Sequence, residues 1–216
     1  MGQERQEPAL RIGVSMRISQ AEGYCEPRDA LAHDWHSFIN KVIPDALWLP
    51  IPNLVESGTN FLSSWGLNAF ILTGGNDLNA EPLRDKSENN ILDYAIEKSF
   101  PVLGICRGLQ LMARRFNGEV IEDSSKKHVA TAHNVSVIAN PVGYETADEM
   151  SVNSYHNYII KNSGELVPFA FDNDGNIEAV YSNDHQLAAI MWHPERNNPV
   201  TRSDAEFVRS FFGAPK

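Results

Sequence analysis

Gly104-Ile105-Cys106-Arg107-Gly108 sets a cysteine between two glycines, where the apolar run ending at Ile105 gives way to the helix-like "RGLQLMARRF". This is the spacing of a nucleophile elbow, with a thiol in the reactive position. A sharp strand-to-helix turn presses the backbone against its neighbours, so the flanking positions suit residues without a Cβ. The turn also lifts the Cys106 side chain above the C-terminal edge of a sheet, where open α/β folds bind ligands. There it meets a helix N-terminus, whose partial positive charge favours a thiolate. A base is offered by "AAIMWHPER", in which His193 follows a strand and precedes Pro194, which ends regular pairing. Glu195, two residues on, can orient the ring and stabilise its cationic form. Cys, His and carboxylate are the parts of a nucleophile, base and orienter. Cysteine after an apolar strand is commonly core, and a His-x-Glu is commonly a solvated pair. The two glycines and the joint presence of all three groups weigh against both bland readings.

Such groups need a scaffold, and the chain alternates strand and helix. "ALRIGVSM", "ALWLP", "NAFILTGG" and "PVLGI" read as strands, with "ALWLP" stopped by Pro50. "RDALAHDWHSFINKVI", "NLVESGTNFLSSW", "ENNILDYAIEKSF" and "RGLQLMARRF" read as the intervening helices. This order predicts a flavodoxin-like α/β three-layer sandwich, its mainly parallel central sheet covered on both faces. From about residue 118 shorter alternating segments, "HNVSVIA", "IEAVYS" and "QLAAIMW", read as strands, some of them antiparallel, and predict a small antiparallel addition with "DNDGN" as a turn between two of them. "SDAEFVRSFFG" reads as a closing helix with a Ser/Asp cap, ending at Gly213. One domain over residues 1–216 is expected.

Of the 216 residues, 18 are basic and 28 acidic, a net charge of −10 that argues against nucleic acid and anionic membrane as partners. With no 18-residue apolar stretch, and no signal-peptide core in "MGQERQEPAL", a cytoplasmic protein is expected. Cys25 and Cys106 then make no disulfide framework, Cys25 reads as a free thiol, and the Asn134-Val135-Ser136 sequon is without meaning. No metal or cofactor is expected. "DNDGN" has its glycine, Gly175, at the fourth position instead of a calcium loop's sixth. His33 and His36 lack further ligands in a recognised pattern. Trp35 reads as core, and Trp192 as either pocket wall or sheet filling.

"GICRGLQLM" together with "MWHPER" resembles the class I glutamine amidotransferase superfamily, and nearly the whole chain is similar to its peptidase C26 branch, the γ-glutamyl hydrolases. The resemblance implies Cys106 as nucleophile, His193 as general base and then acid, and Glu195 as third member. "ILTGGNDL" matches the family's strand-end Gly-Gly loop, which implies an oxyanion hole from the backbone N–H groups of Gly75 and Arg107, with Gly74 and Asn76 lining the substrate. "VNSYHNY" matches the segment that holds the γ-glutamyl group, so Ser154, Tyr155 and His156 are implied pocket residues, as is Gln110. The implied reaction releases L-glutamate from a small-molecule γ-glutamyl amide through a thioester.

"SMRISQAEGYCEPRDALAHDW" also places Arg17, Tyr24 and Arg28 around the end of the first strand. Arginine forks there suit a phosphate or carboxylate. "GGNDLNAEPLRD" is short where many family members that cleave γ-glutamyl amines carry a longer insert. In these features the chain is most similar to a branch associated with bacterial surface-polysaccharide gene sets. That likeness implies γ-glutamyl-CDP-amidate as substrate and cytidine diphosphoramidate as product. Rival readings are a γ-glutamyl-amine or peptide hydrolase, a glutaminase subunit serving a separate synthase, and a non-catalytic binding module. The stress-protein branch of the fold has His directly after the Cys, and Arg107 counts against it. A homodimer is left open.

Overall fold

The computed structural model describes residues 10–139 and 143–213; the amino-terminal stretch read as lacking a signal core lies outside them, and of Asp148 only the backbone is described. The chain begins β1 (Arg11–Ser15), β2 (Arg17–Gln20), β3 (Pro27–Ala30), α1 (Asp34–Val42), β4 (Leu47–Ile51), α2 (Gly58–Ser64) and β5 (Ala69–Leu72). It continues with α3 (Pro82–Lys98), β6 (Val102–Ile105), α4 (Arg107–Arg115), β7 (Glu119–Glu122), β8 (Thr131–Val137), β9 (Ala147–Ser154) and β10 (Tyr158–Asn162). It closes with β11 (Val167–Asp172), β12 (Ile177–Tyr181), β13 (Leu187–Ile190), a 3₁₀ turn (Pro194–Arg196) and α5 (Arg202–Phe211).

Nine strands form one sheet in the order β4-β1-β5-β6-β13-β12-β11-β8-β9. From β4 to β13 every pairing is parallel, and from β13 to β9 every pairing is antiparallel. The five parallel strands, taken in chain order, lie 2-1-3-4-5, the flavodoxin-like arrangement, with its switch point between β1 and β5. Right-handed crossovers then put α1 on one face and α2 and α3 on the other, because the chain steps outward from β1 to β4 and back again to β5 and β6. In agreement, α1 packs on α5 and α2 on α3. Strands β5, β6 and β13 are buried along their whole lengths, as a sheet covered on both faces requires. Trp35 is core, and Trp192 fills the interior against Tyr144 with its indole N–H donated to Asp204.

Several boundaries differ from the sequence reading: α3 begins at Pro82 and not at Glu88, and α2 at Gly58 and not at Asn53. "RDA" is not the start of a helix: β3 pairs antiparallel with β2, and the Asp29 carboxylate accepts from the backbone and side chain of Asn53. Strand β4 runs through Pro50 to Ile51, since an edge strand has no partner on one side to miss the proline N–H. The cap of α5 is Thr201, whose hydroxyl accepts from the Asp204 N–H. Among the described residues no helix is long and apolar enough to cross a membrane.

Candidate active site

Cys106 occupies the step from β6 to α4 with φ 53° and ψ −102°, a conformation rarely held by a residue with a side chain. Both elbow glycines are required by close approach. A Cβ on Gly108 would stand 2.4 Å from the Leu72 carbonyl oxygen, and one on Gly104 2.8 Å from the Gly108 carbonyl carbon. The strain is held by the Cys106 N–H donated to Ile190 O (2.8 Å) and by its carbonyl, which accepts from Gln110 N (3.1 Å).

His193 lies just beyond β13, the strand that pairs with β6, so the two strand ends carry Cys106 and His193 to one place. Gly74 marks how close they come: a Cβ there would lie 2.6 Å from His193 Cε1, 3.4 Å from Nε2 and 3.5 Å from Cys106 Cβ. The 3₁₀ turn after Pro194 folds Glu195 back so that its Oε1 sits 2.7 Å from His193 Nδ1. With Nδ1–H donated to Glu195, Nε2 is left for the Cys106 sulfur. Burial opposes the charged imidazole, yet the negative charge and hydrogen bond of Cys106, followed by those of Glu195, outweigh it and hold the His193 pKa at about 9. Such a pair can attack a carbonyl with the sulfur and protonate a leaving nitrogen with the ring.

Two positioning residues escaped the sequence reading. Asn153 clamps His193 from both sides: its Oδ1 accepts from His193 N and its Nδ2 donates to His193 O, each at 2.8 Å. Its only signal was its place in "VNSYHNY", next to residues already singled out. Arg84, fully buried, donates to the carbonyls of Thr73 (2.8 Å), Gly74 (3.1 Å) and Gly75 (2.9 Å). A trans peptide points its N–H opposite to its C=O, so this grip turns the loop's N–H groups away from Arg84. Glu88 receives Arg84 Nε at 3.0 Å and also Arg107, whose guanidinium further reaches Asp85. The Arg107 side chain is therefore directed into the α3 network, leaving its backbone N–H in the first turn of α4. The i,i+4 spacing of Arg84 and Glu88 was the readable signal.

The remaining candidates are dispersed. Arg17 lies over Gly75 and lines a cleft shared with Gly74, His193, Glu195 and Arg196. Arg28, on β3, is not among that cleft's walls; its guanidinium is engaged by Glu26 (2.5 Å) and the Tyr24 hydroxyl (2.6 Å). The Asn76 side chain exchanges hydrogen bonds with both the N–H and C=O of Ile18 (2.9 Å each), tying the Gly-Gly loop to β2. Gln110 is buried with its amide 3.8 Å from the Met191 sulfur. Tyr155, 44% exposed, sets its ring edge-on to His193 at 5.6 Å, with the Arg196 guanidinium 4.2 Å above it. Ser154 and His156 turn the other way. The Ser154 hydroxyl donates to His128 O at 2.8 Å, and the His156 ring stacks on that of His128. Burial, with His128 beside it, pushes the His156 pKa down to about 3.

Residues 11–195 match the peptidase C26 family model. The chain belongs to the peptidase C26 family. It is 31% identical over 212 residues to the γ-glutamyl-CDP-amidate hydrolase of Campylobacter jejuni, covering 95% of this chain and 98% of that protein. A glutamine amidotransferase-like protein of Lactococcus lactis is 30% identical over 68% of this chain and 72% of its own. Among solved structures, a candidate GMP synthase component from Thermoplasma acidophilum aligns with TM-score 0.75 at 21% identity, covering 97% of this chain and 95% of that one. A glutamine amidotransferase from Thermotoga maritima aligns at 0.67 and 13%, over 90% and 80% of the two chains. These structures share the fold of the C26 chain, and the family makes it a γ-glutamyl hydrolase or amidotransferase-like enzyme.

The packing around Gly74 gives a direct test of the site. Gly74→Ala is expected to displace the imidazole, because the new methyl group meets a buried ring that has little room to yield. A misplacement of about 1 Å costs on the order of 10²-fold in kcat. Steady-state kinetics beside a melting curve would read this; wild-type kcat in a folded variant would contradict the packing.

Proposed function

We propose that this enzyme hydrolyses γ-glutamyl-CDP-amidate, releasing L-glutamate and cytidine diphosphoramidate. Cys106 Sγ attacks the γ-carbonyl carbon. The N–H groups of Gly75 and Arg107 receive the oxyanion, a donor of this kind being worth roughly 10²–10³ in rate. The C–N bond breaks as His193 Nε2 passes its proton to the leaving nitrogen, and a glutamyl thioester remains. Water then gives a proton to His193 Nε2 and its oxygen to the acyl carbon, and the sulfur departs with the electron pair of the C–S bond. Glu195 keeps the ring in the tautomer that serves both steps.

The reading of the reaction rests above all on Cys106, held at positive φ beside a histidine whose far nitrogen is 2.7 Å from Glu195. The reading of the substrate is supported by near full-length similarity to the Campylobacter jejuni hydrolase and by Arg17, which brings a guanidinium to the cleft beside His193. A diphosphate offers that fork paired oxygens, which a simple γ-glutamyl amine lacks.

The test is glutamate release from γ-glutamyl-CDP-amidate, glutamine, γ-glutamyl-aminobutyrate and a γ-glutamyl peptide. The nucleotide substrate is expected to have the highest kcat/KM. Arg17→Ala should raise its KM by about 10-fold, the loss of one charge-assisted contact worth about 1.5 kcal/mol, and leave glutamine unaffected. Better turnover of the amines, or a nucleotide KM indifferent to Arg17, would overturn the substrate assignment. Efficient glutaminase activity appearing only with an added synthase would favour the two-component reading in its place.

A further inference from the structure

Behind Tyr155, on the side away from His193, three imidazoles and a carboxylate share one buried space. His128 and His156 stack with ring centroids 4.8 Å apart, and His133 meets His128 edge-on at 4.9 Å. Glu178, the second residue of β12, enters the same space with its side chain 1% exposed. The groups are incompletely satisfied. Both nitrogens of His133, Nε2 of His156 and both oxygens of Glu178 find no hydrogen-bond partner among the described residues. Leaving one such buried group unpaired is costly, and an uncompensated carboxylate is more so. Unpaired polar atoms concentrated at one place indicate a ligand shared among them.

The lone pairs specify what kind. His156 Nδ1 lies 2.8 Å from the Tyr158 carbonyl, to which it donates, so Nε2 presents a lone pair toward Glu178 Oε1, 3.8 Å away. Two acceptors facing each other call for a cation between them. His133 Nε2 stands 3.4 Å from Glu178 Oε2. Two ligands bound to zinc at about 2.0–2.1 Å with tetrahedral angles lie about 3.3–3.4 Å apart, so that separation already suits a shared ion. The His128 ring has carboxylates on both nitrogens, Asp123 at 3.0 Å on Nδ1 and Asp172 at 3.1 Å on Nε2, so it offers no lone pair to an ion and forms a wall of the space. Asp172 is itself fixed by the N–H groups of Asp174 and Asn176. Three carboxylates thus surround the space, and a dication would offset their charge. His133, with 16% of its side chain exposed, leaves a way in.

We propose that His133, His156 and Glu178, with the His128 ring stacked beside them, bind a divalent transition-metal ion of the zinc class. Imidazoles with one carboxylate and no thiolate fit that class better than magnesium or calcium, which favour all-oxygen shells. The ion takes no part in the thioester chemistry. It joins β8 and β12 to the Ser154–His156 corner, whose Tyr155 packs on His193, and so fixes one wall of the active site.

The test uses a tag-free chain with Cys25→Ser and Cys106→Ala, which removes every thiol that could bind zinc. Equilibrium dialysis against Zn²⁺ is expected to leave one ion per chain. Co²⁺ in its place should give the intense visible bands of a tetrahedral site. Glu178→Gln and His133→Ala should each weaken binding at least 10-fold. Absence of stoichiometric binding, or binding untouched by both substitutions, would overturn the proposal. X-ray absorption on the zinc-loaded parent decides the matter even if a variant fails to fold. At least two imidazole ligands are expected, and fewer would refute the site.

Discussion

Cys106→Ala is expected to abolish glutamate release, with kcat lower by about 10⁵–10⁶-fold and the fold intact. The substitution removes one sulfur atom from a buried elbow whose backbone is fixed by other atoms: Cys106 N to Ile190 O, Gln110 N to Cys106 O, and Gly108 seated on Leu72. Melting temperature and circular dichroism should therefore stay near wild type. Loss must not be confused with unfolding, so substrate binding to the variant should be measured as well. A dissociation constant close to that of the parent, with no turnover, is the expected pattern. A variant that keeps more than a few per cent of wild-type kcat would remove Cys106 from the chemistry.

Glu195→Gln should cost less, on the order of 10³-fold in kcat, and should also change the pH profile. A glutamine can still face Nδ1, but it carries no charge and can present its amide to the ring in the wrong sense. Glu195 raises the His193 pKa, so its neutralisation must lower it from about 9. His193 acts as an acid only while protonated, which places the alkaline limb of kcat/KM near that value in the wild type. In the variant this limb moves to lower pH, because the ring loses its proton sooner. A kcat/KM–pH profile of both proteins reads the shift directly, and an alkaline limb that stays in place would disconnect Glu195 from the ring.

How far the sequence carried depends on whether a group's environment is local. The elbow was legible because Gly104 and Gly108 flank Cys106 in the chain, and the reason for both is steric. His193 and Glu195 were legible because Pro194 and a short turn bring them together within three residues. Strands β5 and β6 announced themselves as apolar runs. By contrast, "PRDA" carries helix-compatible residues, and only its pairing with Arg17–Gln20 makes it a strand. Arg84 stands before the segment read as a helix, and only the turn after β5 brings three carbonyls to it. The histidine cluster draws His128, His133 and His156 from separate segments and Glu178 from a strand four elements after β8, so no local spacing signals it.

The central claim is that a glutamyl group is carried on the sulfur of Cys106. Rapid quenching in acid during turnover, followed by digestion and mass spectrometry, tests it most directly. The predicted result is a mass increase of one glutamyl residue on the peptide containing Cys106, formed and consumed at rates that account for kcat and absent after Cys106→Ala. Turnover with that peptide unmodified throughout, or with the glutamyl group on another residue, would contradict it.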